Sequence, residues 1–211
     1  MTVVLPFPVD GFSWLALAVV AAFLCGFRPF AVALCLGMAS LIGSLELPAG
    51  LQLAAPAPVA ICAVLALAER WADAKALSGH AEDWLLAALR VPCGAVVLAA
   101  VSVELLGAWG WLGLPWGAAL ALSGQALKAA LRSLGTLLGW RRTLVALTVA
   151  IDLAIPALLA LAWLWPGLGV VVLTLLLAVA LPLAVWWVRE LRSRWRRWAL
   201  LVGQQASVGG H

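Results

Sequence analysis

The sequence predicts an all-α, polytopic helical membrane protein, and three observations carry that expectation. Of 211 residues, 66% are hydrophobic and only 10% are charged, against roughly 45–50% apolar and about 25% charged in an ordinary soluble domain. Mean hydropathy is +1.12. The apolar residues fall in runs approaching or exceeding the roughly 20 that a helix needs to cross a bilayer. None alternates with the period of two that marks a membrane barrel strand. The expected architecture is a single transmembrane domain over residues 1–200, with six spans and a broken first helix, followed by a flexible cytoplasmic tail at 201–211.

The first span, residues 14–45, is too long for one plain crossing and is interrupted at 26–30. Pro29 lacks an N–H and pushes the residue before it out of helical conformation, and Gly26 adds local freedom. Arg28 therefore sits at a break inside apolar sequence. The second span, 59–73, ends in Glu69-Arg70-Trp71-Ala72-Asp73. The third, 84–106, carries Arg90 and Pro92 in its early turns. An aromatic loop with Trp109, Trp111 and Trp116 follows, as an interfacial belt requires. The fourth, 118–138, bears Lys128 and Arg132, four apart and so on one face. The fifth, 144–165, holds Asp152 with Pro156 four residues on. The last, 168–188, contains Pro182 and ends with Trp186 and Trp187. The N-terminal segment has no cation before the first apolar run, which is unlike a cleaved signal peptide.

Charge placement orients this scheme. Twelve of the 13 cations fall near the 70–90 connection, the 128–142 connection or the C-terminal end, and only Arg28 stands apart. The positive-inside rule puts that basic side, with both termini, in the cytoplasm of a bacterial inner membrane. Arg189, Arg192, Arg194, Arg196 and Arg197 form a collar suited to anionic lipid headgroups. The collar adjoins a span and lacks any reading motif, so it is not expected to bind nucleic acid.

Charged groups at membrane depth are costly and mark pairing, partners or water paths. Arg28, Glu69, Asp73 and Arg90 are expected to form one intramembrane polar cluster, with Arg28 paired to Glu69 or Asp73. A second group joins Lys128, Arg132 and Asp152. Asp152 lies roughly 12 Å into its helix, where Lys128 or Arg132 is the expected partner. The order of a base-bearing element followed by an acid-bearing one occurs twice, which suggests a weak inverted repeat of the kind found in transporters. Cys25, Cys35, Cys62 and Cys93 read as small buried hydrophobes. With two histidines, one in a loop and one at the end, no metal site or cofactor is expected. The serines have neither a glycine elbow nor an adjacent base, so no enzyme activity is indicated.

These polar islands resemble a family of small bacterial membrane proteins, the DUF4126 domain of unknown function. The resemblance rests on Gly26-Phe27-Arg28-Pro29-Phe30, on Glu69 followed by Ala72-Asp73, and on Arg90 followed by Gly94-Ala95. It extends to Lys128-Ala129-Ala130-Leu131-Arg132 and to Asp152, covering roughly residues 20 to 190. Two positions depart from the family pattern: Ala74 stands where the family has a lysine, with Lys75 one residue late, and Leu86 occupies a histidine position. The resemblance implies architecture and no activity. Two functional readings remain open. One is a small transporter or channel-like protein, a homodimer or part of a larger membrane complex, whose ionic cluster lines a path. The other is a structural or accessory subunit that uses the cluster for helix or partner packing.

Overall fold

A computed structural model describes residues 11–47, 51, 53, 55–75, 81–137, 141–183, 185–186 and 189. Helix α1 (Gly11–Cys25) is separated by a three-residue break from α2 (Pro29–Leu41); α3 (Pro56–Lys75) and α4 (Ala81–Leu106) follow. A 3-10 turn at Gly107–Leu112 leads into α5 (Gly113–Leu137) and then α6 (Arg141–Leu164). Helix α7 (Pro166–Leu183) follows the interruption at Trp165. All the described elements are helical.

The expectation of six spans is corrected. Among the described residues, two helical stretches are long and apolar enough to cross a membrane, Ala88–Ser133 and Pro166–Leu183. The reasons lie in the sequence. The break at Arg28 divides the first apolar segment into helices of 15 and 13 residues, each short of the roughly 20 that a crossing needs. Helix α3 has the length but spends its last turns on Glu69, Arg70, Asp73 and Lys75. In α6 (Arg141–Leu164), the described stretch Thr148–Leu164 counts among the shorter apolar helices. The inverted repeat depends on six spans, and it is withdrawn with them. The tail at 201–211 lies outside the described residues.

Helix α1 is the centre of the bundle. From Ala16 to Cys25 every residue but Val19 is buried, as a helix apolar on all faces requires. It packs against α4, α5 and α6. Trp14 meets Trp163 edge-on at 5.5 Å between ring centres. The run through α4 and α5 doubles back at the 3-10 turn, and small residues let the two helices and α1 close on one another. A Cβ at Gly94 would lie 2.6 Å from the Ala121 Cβ and 2.9 Å from the Ala22 carbonyl oxygen. At Gly26 it would strike the Ala121 carbonyl and approach the Gln125 nitrogen at 2.7 Å. Such contacts are how membrane helices gain packing where lipid offers no hydrophobic drive between them.

The outward faces are apolar. Ile61, Val64 and Leu67 on α3, Leu153 on α6, and Val171, Leu175 and Val179 on α7 are all more than half exposed. A water-facing surface rarely carries contiguous apolar area on this scale, and it is the surface that a lipid environment accepts. Trp109, Trp111 and Trp116 are 75%, 63% and 69% exposed at the α4–α5 turn. Helices α4 and α6 continue through Pro92 and Pro156, and Pro182 lies within α7.

Close packing makes one glycine costly to change and another cheap. Gly94→Ala should lower stability in detergent by about 1–3 kcal/mol through overpacking. Gly167 has open space around the position of a Cβ, so Gly167→Ala should be neutral or stabilising by up to about 1 kcal/mol. Thermal unfolding of the two variants compares them, and equal losses would contradict the packing described.

Candidate functional site: a buried ring of charge at the helix break

The break follows from local chemistry. The N–H groups of Phe27 and Arg28 both donate to the Leu24 carbonyl, at 2.9 and 3.0 Å, closing the last turn of α1. Arg28 then takes an extended backbone, φ −154° and ψ 89°, as the residue before a proline does. Helix α2 restarts with the Val32 N–H donating to the Arg28 carbonyl at 3.1 Å. The Phe27 carbonyl falls between the two helices. A buried carbonyl needs a donor, and the Lys128 ammonium supplies it, with Nζ 2.9 Å from the Phe27 oxygen.

Two ion pairs flank this bond. Arg28 Nε lies 2.9 Å from Asp152 Oδ1, the side chains being 3% and 18% exposed. Arg70 Nη1 lies 3.6 Å from Asp152 Oδ2, and its own side chain is 57% exposed. Deeper in the bundle, Arg90 donates from Nε and Nη2 to Glu69 Oε1 at 3.2 and 3.0 Å. Its Nη1 donates to Gln125 Oε1 at 2.6 Å. Arg90 has no exposed surface, and the Glu69 side chain is 2% exposed.

These contacts close on themselves. Asp152 of α6 holds Arg28 at the break, and the neighbouring Phe27 carbonyl holds Lys128 of α5. Gln125, three residues before Lys128 and so on the same face, holds Arg90 of α4, which holds Glu69 of α3. Arg70 is the next residue in the chain and returns to Asp152. The break between α1 and α2 and the helices α3 to α6 therefore join one polar ring, sealed at the Glu69–Arg90–Gln125 side and partly open at the Asp152–Arg70 side.

The structure brings together most of the residues singled out from sequence but redistributes the partners. Among the described side chains, Arg28 is paired to the carboxylate of Asp152; the Asp73 side chain, one of its two expected partners, lies outside the described residues. Asp152 is reached by Arg28 and Arg70, whereas Lys128, its expected partner, serves the Phe27 carbonyl. Arg132 sits one turn beyond Lys128, half buried. Sequence reasoning passed over Gln125 and gave Arg70 no role at the site. Gln125 was within reach of the helical rule of three and four, since it precedes Lys128 by three; Arg70 only adjoins Glu69, and no spacing signal marks it. Of the proposed anchors, Trp186 is 37% exposed. Trp187, Arg192, Arg194, Arg196 and Arg197 lie outside the described residues, and Arg189 is exposed.

Loss of a single charge from the sealed side should be severe. Glu69→Gln leaves the Arg90 charge buried and uncompensated, and should cost about 3–5 kcal/mol. Replacing both, as Glu69→Leu with Arg90→Met, should cost less than the sum of the two single changes, because the pair forms one energetic unit. Unfolding midpoints in detergent measure all three, and strict additivity would argue against the pair.

No curated protein and no solved structure matches this chain. The family model described as "Domain of unknown function (DUF4126)" matches residues 15–187, a stretch that contains the whole ring of charge. The chain is thus a membrane-associated protein with a buried ion-pair and hydrogen-bond cluster, and it belongs to the DUF4126 family.

Proposed function

We propose that the protein is a small transporter or channel-like membrane protein in which the ring at the helix break forms part of the transport path. The observation that carries this reading is the asymmetry of the ring. Buried ion pairs rarely stabilise a fold better than well-packed apolar residues would, so holding helices together is a poor reason to bury this many charges. Ionisable groups at membrane depth commonly line substrate and ion routes, and transporters place such groups at interrupted helices. Here the interruption carries Arg28, and the Asp152–Arg70 side of the ring remains accessible.

The same charge pattern supports an orientation. The cation-bearing connections near 70–75 and 128–142, and the arginine collar from Arg189, would face the cytoplasm of an inner membrane, with the collar against anionic headgroups. Assembly as a homodimer or within a larger complex fits the apolar outer faces. An accessory or packing role is the second reading, and the fully buried Glu69–Arg90–Gln125 side favours it.

Flux separates the two. The full chain, purified and reconstituted into lipid vesicles with imposed salt gradients, should pass ions or small solutes above the level of empty vesicles. Asp152→Asn should strongly reduce that flux while the protein still inserts and unfolds cooperatively. Vesicles no leakier than empty ones under cation, anion and proton gradients would leave the packing role instead.

A further inference from the structure

At the open side of the ring, two guanidinium groups, Arg28 and Arg70, reach the same carboxylate, Asp152. Among the described residues, Arg28, Arg90 and Lys128 are each at most 3% exposed, and the acids facing them are Glu69 and Asp152. Glu69 is engaged by Arg90. Asp152 meets both Arg28 and Arg70, with the Lys128 ammonium at the carbonyl of Phe27, the residue before Arg28. The N-terminal end of α2 begins at the same place and adds the positive end of its dipole. In a medium of low dielectric these charges act together on whatever anion lies there.

We infer that the break at Arg28 is a binding site for a small, flat, carboxylate-like anion, and that Asp152 is a tethered occupant which the incoming anion displaces. The shape follows from the donors, since a guanidinium presents a planar array of N–H groups that matches two coplanar oxygens and fits a spherical ion less well. Asp152 can yield its place. Its side chain is 18% exposed, and Arg70 holds it at 3.6 Å from an exposed position, longer than a good hydrogen bond. Pro156 cannot donate to the Asp152 carbonyl, which loosens the helix at that turn. The approach runs past Arg70, the exposed member of the ring. As a cargo site this rests on the transport reading, whereas anion binding itself does not.

Formate is the probe, because it is a bare carboxylate. Thermal unfolding of the detergent-purified full chain is followed against sodium formate, with sodium gluconate and sodium chloride at matched ionic strength as size and shape controls. Wild-type protein should show a saturable rise in midpoint with formate that gluconate and chloride do not reproduce. Removal of the tethered competitor in Asp152→Ala should lower the half-saturating formate concentration by about tenfold or more, as the competent state becomes the populated one. Arg70→Gln, at an exposed side chain, should raise it. If Asp152→Ala does not fold, the wild-type and Arg70→Gln titrations carry the test. No formate-specific response, or an Asp152→Ala variant that binds no more tightly than wild type, would overturn the site. Formate binding with no flux under cation, anion or proton gradients would retain the site and overturn transport; flux without formate binding would do the reverse.

Discussion

The structure depends on one constraint, which is that Arg28 must be buried next to Pro29. Proline removes an amide donor and forces Arg28 into an extended backbone, so the first apolar segment cannot continue as a helix. That opens the Phe27 carbonyl and delivers a guanidinium into an apolar bundle at the same point. Both have to be answered from other helices, because water cannot reach them cheaply. Asp152 answers the charge and Lys128 answers the carbonyl. Once Lys128 and Asp152 are committed, the positions of α5 and α6 relative to α1 are set. Gln125, Arg90 and Glu69 then extend the same requirement to α4 and α3.

The small-residue seam is the complement of the ring. Polar side chains can bridge helices only if the backbones come close, and Gly26, Gly94 and Ala121 permit that approach beneath the charges. Gly26 has both roles, since it lies in the break and also faces the Ala121–Gln125 turn of α5. Close packing excludes water from the Glu69–Arg90 pair and raises the cost of leaving either charge alone. On the other side of the ring Arg70 is exposed among the described residues, and that edge of the network stays accessible.

Much of this was legible in the sequence. Composition gave the helical membrane class, Arg28-Pro29 gave the break, and the isolated charges Arg28, Glu69, Arg90, Lys128 and Asp152 lie in the ring, whereas Gln125 and Arg70 had no place in that reading. Partners were less legible for a physical reason. Helical spacing reports which residues share a face of one helix, but pairing between helices depends on which faces meet and at what depth. Asp152 was assigned to Lys128 because α5 precedes α6 in the chain, whereas α1, the central helix, in fact lies against α6 and brings Arg28 to it. The backbone acceptor at Phe27 was equally hidden, since a carbonyl has no letter in a sequence. The span count failed at the first apolar segment because it was measured through the Arg28-Pro29 interruption that ends the helix. The break that best identifies the site is also what shortens the segments around it.

The central claim is that Arg28 and Asp152 are one energetic unit inside the bundle. A double-mutant cycle with Arg28→Gln, Asp152→Asn and the combined variant, measured by reversible unfolding in lipid bicelles, addresses it directly. The account predicts that each single change is destabilising and that the double variant recovers about 1–3 kcal/mol relative to their sum. Additive losses, with a coupling energy indistinguishable from zero, would contradict it.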